Sequence, residues 1–258
     1  AVGRRVKVFR PTISACWRQW SEHHICMSSP LAPVFSISET AIGRISDAYV
    51  QRYWELSPMA ATAAGIDGYD HLLDDLSPAG EIAELELLEE FLPQIRNAVV
   101  HTQAERIAQS VMLHDLETEL TELHAKSHGH AWGVITSAVS SLSDTYSLMD
   151  VAVSREALLA RARAVNTYLD GWFASIMLDA EDGIVNSQHS TAEEITQLRT
   201  MSARGMHQSL LEDATPEERA VLGRADDALA EMADRIAEQY LPLCRLELGV
   251  GRAVYETL

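Results

Sequence analysis

Hydroxyl residues placed to begin helices are the feature that most constrains the fold of this chain. Ser57 and Ser77 each precede a proline, and Thr215 precedes Pro216-Glu217-Glu218. Such a hydroxyl accepts a hydrogen bond from an unpaired N–H group of the first turn, and proline fits the first helical position because it has no N–H to satisfy. Four further sites predict the same start: Ser36 with Glu39, Thr102 with Glu105, Ser154, and Thr191 with Glu194.

Strand signals are almost absent from the same residues. Short β-branched runs of alternating polarity are rare, and no repeat of fixed period suggests a solenoid. Gly65 predicts the end of a short helix from Pro58, and Pro93 predicts a kink or an end in a long acidic helix from about residue 78. We therefore expect an all-α fold, an irregular array of about seven or eight helices with no significant sheet.

The charge of the chain excludes several classes of partner. Its 258 residues include 38 acidic and 20 basic side chains, for a formal net charge of -18. Nucleic acids and anionic membranes both require a basic surface, so neither is expected as a partner. The three cysteines, Cys16, Cys26 and Cys244, are too few and scattered for a disulfide framework or a thiolate zinc site. Reduced thiols in a cytoplasmic protein are expected.

The first residues differ in charge from the rest. Residues 1–26 contain five basic side chains and one acidic side chain. Basic residues and Pro11 interrupt the apolar core that a signal peptide needs, and Pro11 disfavours the amphipathic helix of a transit peptide. Met27 is a candidate true start. We expect residues 1–36 to be a disordered or mis-started leader and 37–258 to form one all-helical domain.

Aspartates are concentrated between the two Ser-Pro pairs. Asp67, Asp70, Asp74 and Asp75 lack the spacing of a calcium-binding loop, which in this register would have no carboxylate at its first or third position. Aspartate also favours turns. We interpret residues 65–76 as a solvated connection between helices.

One predicted helix carries weak candidate metal ligands. With Thr121, the residues His114, Glu117, His124 and His128 recur at steps of three and four, so they share a helix face. The last two histidines have the spacing of a zinc-ligand pair, but one helix rarely supplies a complete ligand set. A stripe of leucines lies beside this face, and the pattern favours an exposed polar face over a metal site.

Residues 131–150 contain candidates for the wall of a substrate cleft. The stretch AWGVITSAVSSLSDTYSLMD places small hydroxyl residues and an aspartate between apolar positions. Small residues also permit close helix packing, which is the alternative interpretation. The candidate cleft residues are Trp132, Ser137, Asp144 and Tyr146.

No complete catalytic motif occurs in the sequence. The metallopeptidase pattern His-Glu-x-x-His, the nucleophile elbow Gly-x-Ser-x-Gly and a glycine-rich phosphate loop are all absent. We therefore predict no catalytic residue and no cofactor for this chain alone.

Four ordered stretches resemble the bacterial family called domain of unknown function 885. They are YWELSPMAATAAGIDGYDHLLDDLSP, WGVITSAVSSLSDTYSLMD, LDGWFASIMLDAEDGIVNSQHSTAEEITQL and GVGRAVYETL. The resemblance covers the amino-terminal part of a longer, largely helical protein. It implies a later half with a His-Glu-x-x-Pro-Gly-His type motif, which would hold the zinc and the general base of a gluzincin-like peptidase. This sequence stops at Leu258, before any such motif, so no zinc ligand carries over.

Three interpretations of function follow from the resemblance. The chain is the scaffold or cleft lobe of a zinc metallopeptidase-like hydrolase, not catalytic alone, with a missing or separate carboxy-terminal half as partner. Alternatively it is a stand-alone interaction module that forms a homodimer through its uncovered face, or a truncated product without a selected role. An exposed apolar patch would favour one of the first two.

Overall fold

The computed structural model describes residues 37–126, 138–149 and 154–248, which are largely helical. Within these ranges lie eight α-helices: α1 (Ala41–Leu56), α2 (Pro58–Ala64), α3 (Pro78–Asn97), α4 (Gln103–His124), α5 (Ala138–Leu148), α6 (Arg155–Glu181), α7 (Gln188–Ala203) and α8 (Pro216–Arg235). A π-helical turn at Ile236–Tyr240 continues α8. The described residues contain no strand and one isolated bridge, between Ser187 and Arg245. The prediction of an all-α array is confirmed.

Several predicted helix boundaries are also confirmed. Thr102 Oγ1 accepts a hydrogen bond from the N–H of Glu105 at 3.2 Å, at the start of α4. Thr215 and Glu218 form a complete capping box at the start of α8, with hydrogen bonds of 3.3 and 2.7 Å. Gly65 follows α2 with a φ of 74°, a left-handed conformation that glycine adopts without strain. Local hydrogen-bonding capacity therefore determines where these helices begin and end.

The first helix begins later than predicted. Thr40 Oγ1 accepts a hydrogen bond from the N–H of Gly43 at 3.1 Å, so α1 begins at Ala41. Glu39 lies in the preceding 3₁₀ turn, and Ser36 lies outside the described residues. The threonine directly before the apolar pattern is the better cap.

The start predicted at Thr191 with Glu194 is wrong. Ser187 Oγ accepts a hydrogen bond from the N–H of Ser190 at 3.1 Å, and α7 begins at Gln188. Thr191 and Glu194 are fully buried inside the helix. The hydroxyl-and-glutamate spacing is therefore a feature of the packed face of α7 and not of its end.

Pro93 does not end α3. The helix continues to Asn97, although proline has no N–H to donate and disfavours an interior position. Leu92 and Ile95, on either side, are 5% and 0% exposed in the core. Burial of these side chains keeps the last turn of the helix in place.

The helices pack around two hydrophobic cores. The smaller core is formed by α1, α3 and α4 and includes the fully buried Ile42 and Ile95. The larger core is formed chiefly by α5, α6, α7 and α8, with Met59 of α2, and includes the fully buried Leu158 and Leu222. Each such aliphatic side chain contributes about 1.5–3 kcal/mol by its burial. Because α3 also contacts α6, the smaller core is joined to the larger one there.

A fully buried arginine on α6 holds α2 and the connection that follows it. Arg161 is 0% exposed. Its Nε donates to the carbonyl of Leu72 at 2.8 Å, and its Nη2 donates to Thr62 Oγ1 at 2.7 Å and to the carbonyl of Tyr69 at 3.4 Å. Burial lowers the pKa of the guanidinium because it disfavours the charged form, so these acceptors are needed to stabilise the charge.

The acidic connection at residues 65–76 is less solvated than predicted. Asp70 Oδ1 accepts a hydrogen bond from Thr62 Oγ1 at 2.8 Å, and Asp74 Oδ1 accepts one from the N–H of Met59 at 2.8 Å. The segment does join α2 to α3, as predicted. Its second half is nevertheless an ordered part of the packing, held by side chains of α2 and α6.

We predict that Arg161→Met lowers the free energy of unfolding by about 3 kcal/mol, since the buried hydroxyl of Thr62 and the partly buried carbonyls of Tyr69 and Leu72 then lose this donor. Urea unfolding followed by circular dichroism measures the change. Arg163→Met is the matched control, because Arg163 is exposed on the same helix and its replacement is expected to change stability by less than about 0.5 kcal/mol. Equal losses in both variants would contradict the role of Arg161.

Candidate functional site

A cleft lies where the smaller core meets α6. Helices α3, α4 and α6 form its walls, residues 74–77 form one edge, and α5 contributes Ala138 and Ser141. Its volume is about 270 Å³. This size is close to the lower end for small-molecule sites and is sufficient for one long side chain.

Acidic side chains dominate the lining of this cleft. The six carboxylates are Asp74, Asp75, Glu81, Glu84, Glu122 and Asp179. Among the described residues that line the cleft, Lys126 is the only one with a lysine or arginine side chain. A narrow space with this excess of carboxylates has a negative potential, which favours positively charged ligands.

Lys126 is held in place by two of these acids. It has a φ of 46°, in the left-handed region, just after the end of α4. Its Nζ forms an ion pair with Asp179 and lies 3.6 Å from the Oε1 of Glu81. Burial alone would lower the pKa of Lys126, but the hydrogen bond and charge of Asp179, with a contribution from Glu81, raise it. The charged ammonium therefore ties the end of α4 to α6 and α3.

The floor of the cleft is apolar. Tyr168, Trp172 and Ile176 follow one another by single turns of α6 and are 4%, 8% and 4% exposed. The hydroxyl of Tyr168 donates to the carbonyl of Ala138 at 2.8 Å, which leaves its ring to face a ligand. The floor can therefore contact the aliphatic or aromatic part of a bound group.

Asp74 lies at the edge between this cleft and a second cavity of about 390 Å³. Burial raises the pKa of Asp74 to about 6, opposed by the N–H of Met59 and the charge of Arg161. The neighbouring carbonyl of Leu76 accepts a hydrogen bond from Ser175 Oγ at 2.7 Å. The hydrogen bond from Ser175 therefore fixes this edge to α6. Asp74, on the same edge, gains or loses its proton near pH 6.

Two glutamates, Glu84 of α3 and Glu119 of α4, influence each other beside the cleft. Glu84 lines both cavities, whereas Glu119 lines neither. Burial, followed by the charge and hydrogen bond of Glu84, raises the pKa of Glu119 to about 8. The pair therefore retains one proton at neutral pH.

Two of the four predicted cleft residues fall within the described residues. Tyr146 is 3% exposed, and Asp144 is exposed. Neither lines the cleft, whereas Ser141 of the same helix does. Trp132 and Ser137 lie outside the described residues. A cleft role for these four residues stays a prediction.

The histidine-rich face of α4 is exposed at each of its described positions. His114, Glu117 and His124 face solvent, and Glu117 Oε1 pairs with Arg96 Nη2 at 2.7 Å. His128 lies outside the described residues. In the part of the chain that the structure describes, no three His, Cys, Asp or Glu side chains are grouped so that they could hold a metal ion.

A buried histidine–aspartate pair, His207 with Asp226, was not predicted from the sequence. His207 is 0% exposed, and its Nδ1 lies 2.9 Å from Asp226 Oδ1, which also accepts the N–H of His207 at 2.8 Å. Burial raises the pKa of Asp226, but the hydrogen bonds from His207 outweigh it and lower that pKa. The ring of Tyr146 packs edge-on against His207, with centroids 5.2 Å apart. Enclosed in the larger core, the pair is part of the packing.

Weak signals for the cleft residues were present in the sequence. Lys126 is one of only two lysines in a chain with 20 basic residues. Glu119 interrupts the leucine side of α4, between Leu116 and Leu120. An acid on the apolar side of an amphipathic helix indicates a buried carboxyl group, but nothing local indicates its partner on α3.

Comparisons with known proteins give a family and a fold. The family model described as bacterial protein of unknown function (DUF885) matches residues 58–258. A solved structure of a proposed lipoprotein of unknown function from Shewanella oneidensis is similar, with a TM-score of 0.56 and 14% identity. The match covers 77% of this chain and 37% of that chain, so this chain spans little more than a third of its length. No curated protein matches the sequence.

Among the helices in the described ranges, none is both long enough and apolar enough to cross a bilayer.

The stability of the protein is expected to depend on pH through Asp74. Its pKa is about 6 in the fold against an ordinary 3.8, so between these values only the unfolded chain has lost the proton. The free energy of unfolding therefore falls as pH rises through this window, by about 2 kcal/mol from this group. Urea unfolding of wild type and Asp74→Asn between pH 4 and 7 measures the difference.

The variant is expected to lack this loss, so its stability relative to wild type rises by about 2 kcal/mol from pH 4 to 7. Asp67→Asn changes an exposed aspartate of the same connection and is expected to follow the wild-type curve. A D74N curve parallel to wild type would show that Asp74 does not hold its proton in the fold.

Proposed function

We propose, because the chain belongs to the bacterial family of unknown function DUF885, that it forms the substrate-cleft lobe of a larger zinc-peptidase-like hydrolase. In this proposal the chain supplies scaffold and one wall of the cleft and is not catalytic alone. The zinc ligands and the general base belong to a carboxy-terminal half, which is the proposed partner.

The observation that carries the proposal is a formed cleft whose lining offers binding groups but no metal-ligand set. The cleft has an apolar floor on α6 and an acidic rim from α3 and α4. Among the described residues no group fits a zinc ion, so no catalytic step is assigned to them. The described lining therefore supplies groups that can bind a substrate, and the proposal assigns the chemistry to another part of the protein.

The extent of the structural match also supports the proposal. Most of this chain, 77%, aligns with only 37% of the solved protein from Shewanella oneidensis. A similar helical array therefore exists as one part of a longer protein. At 14% identity the match supports the architecture, and the peptidase-like chemistry rests on the family resemblance alone.

Exposed leucines near the end of the described chain are a candidate contact for the partner half. Leu243, Leu246 and Leu248 are 49%, 77% and 69% exposed. Leucines with this exposure lose about half or more of the hydrophobic stabilisation that burial would give, so a covering surface would stabilise them. The same residues fit the alternative, a homodimer, which the experiment distinguishes.

The test combines this chain with the carboxy-terminal half of a longer family member that carries the His-Glu motif. We expect the two to form a complex by size-exclusion chromatography with light scattering, and a zinc-loaded mixture to hydrolyse quenched fluorescent peptides that neither half hydrolyses alone. The double variant Leu246→Ser with Leu248→Ser is expected to weaken the complex at least about tenfold, because each leucine side chain contributes about 1.5–3 kcal/mol when it is fully buried.

Ile107→Ser is the matched control, since Ile107 is an exposed apolar residue of α4, at 56%, and should leave the complex unchanged. Hydrolysis by this chain alone would overturn the proposal. A homodimer that depends on the leucines, with no binding to the second half, would favour the stand-alone interaction module.

A further inference from the structure

Two cavities meet at one short segment of the connection before α3. The cleft has a volume of about 270 Å³ and the second cavity about 390 Å³, and the residues that line both are Asp74, Asp75, Leu76 and Glu84. Asp75 is exposed, as are Ser141 at the cleft and Ala79 at the second cavity. Both cavities therefore open to solvent beside the same side chain, and one ligand of sufficient length can enter both.

Residues 74–76 form the dividing wall between the cavities, and three helices hold this wall in place. Hydrogen bonds of 2.8 and 2.7 Å reach it from the N–H of Met59 in α2 and from Ser175 Oγ in α6. A Cβ atom at Gly80 of α3 would lie 1.9 Å from the carbonyl oxygen of Asp75, so only glycine permits this approach. A wall that is already fixed binds a ligand without the entropic cost of ordering it.

The two cavities differ in the side chains that they offer. Leucines contribute much of the lining of the second cavity, namely Leu56, Leu72, Leu73 and Leu76. The cleft has six carboxylates around an aromatic floor that includes Trp172. An apolar side chain therefore suits the second cavity, and a cationic side chain with an apolar stem suits the cleft.

The cleft already holds one ammonium group, that of Lys126. Asp179 forms an ion pair with it, and Glu81 Oε1 lies 3.6 Å from its Nζ. Asp74 and Asp75, in contrast, each accept one backbone N–H through Oδ1, at 2.8 and 2.9 Å, and neither forms an ion pair with any basic side chain that the structure describes. The dividing wall therefore offers carboxylates to a second cationic group.

An extended peptide matches the spacing of the two cavities. Its side chains alternate between two faces, so side chains two positions apart point the same way and lie about 7 Å from each other. A single chain segment such as the dividing wall is about 5 Å wide. Openings on either side of it can therefore receive two side chains from the same face of one peptide.

We propose that the two cavities are neighbouring side-chain subsites for one extended peptide. The cleft takes a lysine- or arginine-like side chain, and the second cavity takes an apolar side chain two positions away. Carboxylates of the dividing wall pair with the cationic group, and the leucines surround the apolar one. The inference rests on the proposal that this lobe receives the substrate, and it specifies peptides with one basic and one apolar residue as the substrate class.

Isothermal titration calorimetry of the full chain with capped tripeptides at neutral pH tests the inference. Acetyl-Lys-Ala-Leu-amide and acetyl-Leu-Ala-Lys-amide represent the two directions of binding. We expect one of them to bind at least about tenfold more tightly than matched peptides in which alanine replaces the lysine or the leucine, since each large side chain fills its own cavity. Norleucine in place of the lysine keeps the stem without the charge and should weaken binding several-fold.

Variants that narrow one cavity at a time separate the two subsites. Ala79→Leu narrows the second cavity and should remove the preference for leucine while the preference for lysine remains. Ser141→Leu narrows the cleft and should have the converse effect. Both positions are exposed, so the fold is expected to tolerate either change. Ala104→Leu is the matched control, because Ala104 is exposed on α4 and lines neither cavity.

A further variant tests the charge of the dividing wall. Asp75→Asn keeps an acceptor for the N–H of Ser77 but removes the negative charge. We expect it to weaken binding of the lysine peptide several-fold and to leave binding of the norleucine peptide unchanged. Asp67→Asn, at an exposed aspartate of the same connection that lines neither cavity, should change neither affinity.

The possible outcomes distinguish this inference from the proposed function. Absence of binding in both directions, equal binding of the alanine-substituted peptides, or the same change of preference in A79L and S141L would overturn the inference and leave the cleft-lobe proposal to the association experiment. Failure of the two halves to associate, with both side-chain preferences preserved, would overturn the lobe proposal and leave the two subsites standing.

Discussion

The hydrogen bonds of one buried guanidinium fix the parts of this fold on which the cleft depends. Arg161 extends from α6 to the carbonyls of Tyr69 and Leu72, directly before the segment that borders both cavities. The same helix carries the cleft floor two to four turns further on. Floor and edge are therefore both positioned by α6, and Arg161 supplies the acidic segment with a donor from inside the core.

The acids around the cleft differ in how they are stabilised, and this difference defines what the cleft can do. Asp179 and Glu81 are compensated by Lys126, whereas Glu84 and Glu119 are stabilised by a proton. The first kind of stabilisation links helices to one another, because Lys126 bonds acids of two helices. The second kind leaves Glu119 neutral at neutral pH, so it adds no negative charge beside the cleft.

The helices could be predicted from the sequence because their signals are local. The capping box of Thr215 with Glu218 lies within four consecutive residues and forms as expected. The same pattern at Thr191 gave a wrong helix start, because Ser187, one turn earlier, is the residue that caps the helix. The cleft could not be predicted, since its contacts are between distant residues. Arg161 bonds Thr62 across 99 residues, and no periodicity within α6 indicates that an arginine there is buried.

The long reach of Arg161 has a consequence for how the chain folds during synthesis. Helices α1, α3 and α4 leave the ribosome before α6, and their core can form from contacts among themselves. The connection after α2 cannot reach its final arrangement until residue 161 emerges, because Arg161 is the donor to its carbonyls at Tyr69 and Leu72. Closing this loop of 89 residues is a non-local step of the kind that slows folding. The cleft therefore acquires its shape only after α6 has emerged, later than the core of α1, α3 and α4.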